Sequence, residues 1–585
     1  MSSVGPQRWI GTVDDRLSAA GVDRVTAAVW GLVVVGLLAR LLALGARVAH
    51  VDEGRVGYWI VRYVETGDFH YRYIIHGPFV QHVDHLVFSL FGANDFTLRL
   101  VVAVVGAALP LVALLFREHL DGPELVVAAL FLAGNPVLLY YSRFFRSTVP
   151  VAVFAFAAFG FAVRYWDTRR ARYLYAFSVL LALAFTAKEN AAVYVLVWLG
   201  ASGLLLDHEL FRPRSAATGT EVLREWWGRN VKRRDLRHDL PRFLGHAVVM
   251  LLLFAAVILF FYAPRAGSSG GVGLYNAIGN PGLFPEVVDT TVADIREGYG
   301  YWFGGATESG HRSSLVDKYV GFTHRLVGTL ATYAAVLVAF AAAGVLKERF
   351  ASANPRNLVM FASYWGAVSF VGYPLGTDIY GPWLAVNVVV PLSIPAAVAL
   401  ATVLRWGRGA LAREDTVSLA VTVFVVVLTV SQMAFLGVSS SYASPLDDEN
   451  MVQYAQPGDD MKPALREMGA AAADTEGTDV MLYGSYFVAS NADPDSEYQP
   501  ACANWFQSLP LPWYFQVHNT TVDCAQSLGD ISDGGDAPPV VITRRSELGN
   551  VSEVVPDYET RTYQLRRYGT EVTVFVDPEY ATGSS

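Results

Sequence analysis

The sequence is poor in charge and has almost no cysteine. Of its 585 residues only 17% are charged, whereas 53% are hydrophobic, and the mean hydropathy is +0.34. This balance excludes an ordinary soluble protein, and nothing in it implies nucleic acid as a partner. The first twenty or so residues lack the apolar run of a cleavable signal peptide. We therefore predict a polytopic membrane protein that retains its first helix.

Apolar runs long enough to cross a bilayer, about 20 residues each, recur along the chain. We predict about eleven transmembrane helices. Their limits are estimated as 25–46, 98–116, 124–141, 148–164, 173–187, 189–206, 244–262, 323–345, 357–373, 383–404 and 415–437. Lys and Arg concentrate in the links 164–172, 207–243, 346–356 and 405–413, which places these links and the N-terminus in the cytoplasm.

An odd number of spans then puts the C-terminal part outside the cytoplasm. Residues 438–585 hold 23 Asp and Glu against 7 Lys and Arg, a composition that stays hydrated in high salt and suggests a halophilic host. Its only cysteines are Cys502 and Cys524. An outer location allows them to form a disulfide, although two unpaired thiols remain the alternative.

The tail also changes its hydrophobic pattern. A helix near 460–473, strands at VMLYGSYFV and PVVITR, and a hairpin about Gly569-Thr570 predict a soluble α/β domain. The predicted organisation has five parts. These are a cytoplasmic N-terminus at 1–24, a membrane module at 25–210 with a first outer loop at 47–97, a basic cytoplasmic loop at 211–243, further transmembrane helices at 244–437 with an outer loop at 263–322, and an acidic extracytoplasmic domain at 438–585.

Candidate functional residues fall on the predicted outer side. Asp52 and Glu53 follow the first span, and one of them can act as general base while the other orients the acceptor or binds a cation. The two side chains diverge by about 100° on a helix, so a shared task is not assumed. A solvated loop pair is the alternative.

Cationic side chains also lie on this side. Arg143 and Arg146 in YYSRFFRST can clamp a phosphate, or they can snorkel to the headgroups. Lys188 lies between two apolar runs, where an ionisable residue indicates function, although pairing with Glu189 is the alternative. In the loop 263–322, Tyr299 and Trp302 can stack on a sugar or anchor the chain at the interface.

Taken in order, several motifs resemble those of the GT-C glycosyltransferases. They are Asp52-Glu53 after the first span, His76-Gly77-Pro78 and Phe91-Gly92 before the second, Arg99 at the start of the second, Ser142-Arg143 with Arg146 after the third, and Lys188 after the fifth. The group most similar is that of the dolichyl-phosphate-mannose-protein mannosyltransferases and the bacterial aminoarabinose transferases. The details HVDEGRVGYW, IIHGPF and LLYYSRFFRS resemble haloarchaeal membrane proteins labelled as flippase-activity-associated in protein glycosylation.

The resemblance covers roughly residues 25–210 well, and it implies inverting transfer of a sugar from a polyprenyl (dolichyl) phosphate donor to a glycan or glycoprotein acceptor. It implies that Asp52 is the base with Glu53 as its partner. Arg143, Arg146 and Lys188 would hold the leaving lipid phosphate, whose growing charge needs cations. It also implies that His76 fixes the first loop. No cofactor is certain, and a divalent cation at the carboxylates is possible.

Two other functions fit the same sequence. One is movement of lipid-linked sugars across the membrane, or assistance to it, although the chain has no internal repeat of the kind many transporters show. The other is a non-catalytic subunit that keeps the GT-C fold and binds a partner through its acidic tail. We expect a transferase because a pair of acids borne on a loop suits chemistry better than transport.

Overall fold

The computed structural model describes residues 23–581 except for short gaps. These gaps are 212–217, 229–235, 269, 305–314, 353, 378, 444–450, 453–454, 494, 533–535 and 568. The predicted cytoplasmic N-terminus at 1–24 therefore lies almost wholly outside the described residues. The rest forms a helical body followed by a small mixed domain.

The first half of the body begins with a long apolar helix, two shorter helices outside the predicted spans, and a further series of apolar helices. These elements are α1 (Arg24–Leu41), α2 (Val51–Thr66), α3 (Pro78–Phe91), α4 (Asp95–Ala108), α5 (Gly122–Gly134), α6 (Pro136–Tyr141), α7 (Thr148–Thr168), α8 (Ala171–Ala187) and α9 (Ala191–Phe211). A 3₁₀ segment, Leu109–Phe116, prolongs α4. Pro110 has no N–H to give to an α-helical ladder, which accounts for the tighter winding there.

The second half continues the bundle. Its elements are α10 (Gly219–Trp227), α11 (Leu236–Tyr262), α12 (Leu274–Gly279), α13 (Phe284–Gly304), α14 (Leu315–Tyr333), α15 (Ala335–Leu346), α16 (Asn357–Leu375), α17 (Val386–Ala412) and α18 (Thr416–Tyr442). Helix α17 is the most enclosed of the long apolar helices, with 94% of its most apolar stretch buried, whereas no residue in the corresponding stretch of α11 is buried.

Within the described residues, seven helices are long and apolar enough to cross a membrane, and a bent pair formed by α14 and α15 raises this to eight. The shorter apolar helices Gly122–Gly134, Ala171–Ala187 and Ala191–Leu206 lie on three further predicted spans. A membrane protein is thus confirmed, but the predicted count of eleven spans is not. The predicted spans were set by the apolar character of the sequence alone. The length of each helix also depends on where Gly, Pro and polar residues end it.

The C-terminal domain is a five-stranded sheet between two helical layers. Its elements are α19 (Lys462–Asp474), β1 (Val480–Tyr483), α20 (Trp505–Ser508), α21 (Leu511–Val517), β2 (Val522–Ala525), β3 (Val540–Arg544), α22 (Leu548–Val554), β4 (Glu559–Arg566) and β5 (Thr570–Val576). The strand order is β2-β1-β3-β5-β4. Strand β1 is parallel to β2 and β3, and β5 is antiparallel to β3 and β4.

This domain fits the predicted α/β pattern in most respects. The helix near 460–473, the strand at PVVITR and the hairpin of β4 and β5 are present. Only the first four residues of VMLYGSYFV form a strand, because Gly484 takes a positive φ of 91° and ends β1. The polar strand β2, which contains Cys524, gave no recognisable pattern in the sequence.

The C-terminal domain packs directly on α2. Gly54 and Gly57 on α2 lie so close to Pro510 and Trp513 that an added Cβ would come within 2.8 and 2.7 Å of them. Tyr58 of α2 donates a hydrogen bond to a carbonyl of the domain, that of Glu497, at 2.9 Å. Small residues on one face of α2 therefore let the domain sit against this helix, on the side of the body that carries Asp52.

Candidate functional site

Asp52 lies in the first turn of α2, where a histidine caps the helix. The backbone N–H of Asp52 donates to Nδ1 of His50 at 2.9 Å, and the N–H of His50 donates to Oε2 of Glu53 at 2.9 Å. This reciprocal arrangement satisfies two otherwise unpaired helix donors. It also fixes the orientation of both carboxylates, so that the two adjacent side chains leave the helix in different directions.

Glu53 points inward and is completely buried. Arg99 grips it with a two-pronged contact, Nε to Oε1 at 2.8 Å and Nη2 to Oε2 at 2.7 Å, and the N–H of Phe145 donates to Oε1 at 2.7 Å. Burial alone would raise the pKa of Glu53, but Arg99 and Arg47 hold this pKa well below its ordinary value. We name Glu53, Arg99, Arg47 and the Phe145 amide the Glu53 cluster.

Asp52 points to a different neighbour. Its Oδ2 accepts a hydrogen bond from Nη1 of Arg146 at 3.1 Å, and its side chain is 24% exposed. The guanidinium of Arg146 lies 3.4 Å from the ring centre of Trp383. Burial raises the pKa of Asp52, but His50, Arg146 and His76 bring the pKa below its ordinary value. Asp52 is therefore an ionised carboxylate at neutral pH with one face open.

His76 and Lys188 complete this group from two other segments. The N–H of Gly77 donates to the carbonyl of Ala187 at 2.9 Å, and an added Cβ on Gly77 would lie 2.4 Å from the carbonyl oxygen of Thr186. This close approach brings His76 beside Lys188. Burial lowers the pKa of His76 to about 3, with Arg146 and Lys188 adding to the effect, so its ring is neutral. We name Asp52, His76, Arg146 and Lys188 the Asp52 cluster.

Arg143 lies apart from the Asp52 cluster. Its guanidinium donates to four carbonyl oxygens at the end of α1, those of Ala39, Arg40, Leu42 and Ala43. It also lies over the ring of Tyr442, 4.2 Å from the ring centre. These contacts satisfy the carbonyls that a helix leaves unpaired at its C-terminus. Although Arg143 and Arg146 are three residues apart, only Arg146 contacts Asp52.

A buried carboxylate and three tyrosines border Lys188. The phenol groups of Tyr71 and Tyr262 donate to Oε1 of Glu189, and that of Tyr299 donates to the Glu189 carbonyl at 3.4 Å. Tyr299 lies in helix α13 next to the cluster, and its contact with a sugar stays a prediction. Tyr71 and Tyr262 were not recognisable from the sequence, because one lies in a loop and the other at the end of the distant helix α11, with no spacing that links them.

The remaining predicted residues are placed as follows. The side chain of Trp302 lies outside the described residues. Cys502 and Cys524 form a disulfide with their Cα atoms 6.0 Å apart. In the described part of the chain, no three His, Cys, Asp or Glu side chains are grouped closely enough to hold a metal ion.

Two residues that contribute to the site were not predicted from the sequence. His50, the helix cap, stands in the HVDEGRVGYW motif but resembles no common capping residue. Trp383 follows Pro382 in a short 3₁₀ helix far along the chain, and only the tertiary structure brings it to Arg146.

Two parts of the sequence match known protein families. Residues 75–218 match the family described as dolichyl-phosphate-mannose-protein mannosyltransferase. Residues 461–577 match the family described as Agl23 flippase-associated protein C-terminal domain. The first match contains His76, Arg99, Arg146 and Lys188, and the second covers most of the C-terminal domain. No curated protein matched the chain in a search by sequence.

Solved structures give the fold class. ArnT from Cupriavidus metallidurans in the apo state aligns with a TM-score of 0.52 at 15% identity, over 96% of this chain and 100% of that one. ArnT from the same organism bound to undecaprenyl phosphate aligns with a TM-score of 0.53 at 16% identity, over the same shares. The chain is therefore a polytopic membrane protein with the GT-C glycosyltransferase fold of ArnT, and the alignment over 96% of the chain takes in most of the small mixed-sheet domain as well.

Proposed function

We propose that the chain is an inverting glycosyltransferase that moves a sugar from a polyprenyl phosphate to a glycan or glycoprotein acceptor at the extracytoplasmic face. One observation carries the proposal. The open carboxylate of Asp52 faces Arg146, with His76 and Lys188 beside it, although the four residues come from four separate segments. This gathers a base and two cations in one place, which is what transfer from a lipid phosphate requires.

Each member of the cluster has a task in this reaction. Asp52 accepts the proton of the acceptor hydroxyl as that oxygen attacks the anomeric carbon. The bond from the anomeric carbon to the phosphate oxygen breaks, and its electron pair stays on the lipid phosphate. Arg146 and Lys188 stabilise that growing negative charge. His76 remains neutral, so it adds no charge of its own but can hydrogen-bond to phosphate or sugar oxygens.

Glu53 and Arg143 have positioning roles in this proposal. Glu53 has no open face, since its oxygens are occupied by Arg99, Arg47, the His50 amide and the Phe145 amide. Its contact with Phe145 anchors the loop that presents Arg146. Arg143 secures the end of α1 from which the loop to Asp52 departs. We propose that Tyr299 lines the approach to Lys188, and that the acidic domain lies outside the cytoplasm.

Several observations support a polyprenyl phosphate as the donor lipid. The family matched at 75–218 is described by its use of dolichyl phosphate mannose, and the ArnT of similar fold was crystallised with undecaprenyl phosphate. The exposed apolar surface of α11 and α18 can contact bilayer lipid.

The decisive experiment uses purified full-length protein supplied with polyprenyl-phosphate sugars. Asp52→Asn is expected to lower the transfer rate about 10²- to 10⁴-fold while leaving the unfolding temperature unchanged. Glu65→Gln is the matched control, because this exposed carboxylate lies on the same helix and pairs with Arg62 at the surface. Full transfer by Asp52→Asn would contradict the catalytic assignment.

A second function has one observation in its favour, the match of the C-terminal domain to a flippase-associated family. In that case the chain moves lipid-linked sugars, or assists their movement, without transferring them. Reconstitution in vesicles distinguishes the two functions. Scrambling of a lipid-linked sugar with no sugar transfer would favour movement, whereas transfer that depends on Asp52 would favour the enzyme.

A further inference from the structure

The connections that follow β1 and β3 create a crevice at the carboxyl ends of these two strands of the C-terminal sheet. Strand β1 leads into α20 and α21, which pack on one face of the sheet with α19. Strand β3, its parallel neighbour, leads into α22 on the opposite face. Because the connections after β1 and β3 lead to opposite faces of the sheet, neither of them covers the space between the carboxyl ends of these two strands. Such a switch point is where open α/β sheets generally bind ligands.

A hollow of about 370 Å³ occupies this position. It is lined by Gly484 and Ser485 just after β1, by Asn504 and Gln507 farther along the same connection, and by Ser546 after β3. A second hollow adjoins it and shares Arg544 and Ser546. The volume falls in the range of small-molecule sites, about 300–1,000 Å³.

Several polar side chains that line the crevice take no part in hydrogen bonds that hold the domain together. In the part of the chain that the structure describes, the side chains of Asn504, Gln507, Ser485 and Ser546 form no hydrogen bonds with the protein. The Arg544 guanidinium lies over the ring of Tyr486, 5.1 Å from its centre, and forms a flat wall. Since the protein does not engage these polar groups, they are available to a ligand.

The chemistry of these groups indicates a neutral polyol. Each amide offers donors and an acceptor side by side, and the serines do both with one oxygen, as paired sugar hydroxyls require. Charge is balanced within the hollow, with Arg544 against Glu547. A nucleotide fits poorly, because the loop after β1 does not open into a helix that could hold phosphate, and the next helix begins only at Trp505.

We propose that the crevice between the carboxyl ends of β1 and β3 is a saccharide-binding site. It is separate from the Asp52 cluster and does not depend on transfer there. Its wall is nevertheless continuous with the membrane body. Trp505, next to Asn504, packs edge to face on Tyr58 of α2 with ring centres 5.2 Å apart. A glycan in the crevice is therefore held by the same segment that contacts the helix bearing Asp52.

Saturation-transfer NMR on the detergent-solubilised full chain tests this site. The probes are D-mannose, D-glucose and D-galactose at millimolar concentrations, with inorganic phosphate as a competitor. At least one sugar is expected to bind, and Gln507→Leu is expected to weaken its Kd about tenfold, the value of one hydrogen bond. Ser546→Ala is an exposed second variant that should weaken binding without affecting folding.

The controls separate this site from the membrane site. Glu476→Leu, in the connection before the amino end of β1, and Asp52→Asn should both leave sugar binding in the crevice unchanged. The proposal is overturned if no sugar binds, if binding is the same in Gln507→Leu and Ser546→Ala, or if inorganic phosphate displaces the sugar. Sugar binding lost only in Asp52→Asn would also overturn it, because that signal would come from the membrane site.

Discussion

The Glu53 cluster and the Asp52 cluster begin at adjacent residues but have opposite character. Glu53 is fully buried and its oxygens are occupied by four donors, whereas Asp52 is 24% exposed and has Arg146 on one oxygen. The arginines divide in the same way, since Arg143 caps a helix and Arg146 faces Asp52. The comparison shows two uses of neighbouring carboxylates. Glu53, whose oxygens are fully hydrogen-bonded, holds the local structure together, and Asp52, which keeps an exposed face, is available for chemistry.

The largest expected effect comes from breaking the Glu53 cluster. Arg99→Leu leaves a buried carboxylate without its main partner, which costs about 3–5 kcal/mol of folding free energy. We expect little folded protein by size-exclusion chromatography and a large fall in unfolding temperature. Restoring neutrality with Glu53→Gln in the same chain should recover part of the loss. An unfolding temperature unchanged in Arg99→Leu would show that the pair is not structural.

The two arginines of the SRFFR motif should separate activity from stability. Arg146→Leu is expected to reduce sugar transfer about 10²- to 10³-fold, because it removes a cation from the leaving phosphate, with a smaller effect on unfolding. Arg143→Leu should instead lower stability by about 1–3 kcal/mol through unpaired helix carbonyls. Transfer rate per folded molecule and unfolding temperature, measured for both variants, check the division. Equal transfer rates per folded molecule in the two variants would contradict this division of roles.

A smaller effect is expected at Gly77, which links the two halves of the Asp52 cluster. In Gly77→Ala the new Cβ meets the Thr186 carbonyl, and the turn must move away from Lys188 at a cost of about 1–3 kcal/mol. The Michaelis constant for the lipid donor should rise because His76 and Lys188 move apart. Gly92→Ala is a contrasting control, since no atom lies within 4 Å of its added Cβ, although its φ of 77° adds strain.

The smallest effect concerns pH. Burial lowers the pKa of His76 to about 3 and that of His50 to about 4, so the folded chain binds fewer protons than the unfolded chain below pH 6.5. Stability should therefore fall as pH drops from 6.5 to 5.5, by on the order of 1 kcal/mol for each histidine. His76→Asn should make unfolding temperature less sensitive to pH over this range. The same sensitivity in His76→Asn would contradict a buried neutral ring.

Much of the fold was predictable from local pattern. Apolar runs gave the membrane class, and alternating residues gave the hairpin of β4 and β5, because both depend on neighbours in sequence. The span count was not predictable, since Lys188 and Pro136 interrupt runs whose helical limits depend on packing. Strand β2 was missed for a related reason. It is a polar edge strand with a half-exposed pattern, and only pairing with β1 makes it a strand.

The sequence by itself determined that Asp52, Glu53, Arg143, Arg146 and Lys188 stand in an order shared with GT-C transferases. It could not assign their separate roles, because contacts between residues about 50 to 240 positions apart decide which charges pair. The tertiary structure made that decision by pointing Glu53 at Arg99 and Asp52 at Arg146, and by adding Trp383 from a distant link. A buried charge is tolerated only where partners surround it, so packing determines which carboxylate is structural and which stays open.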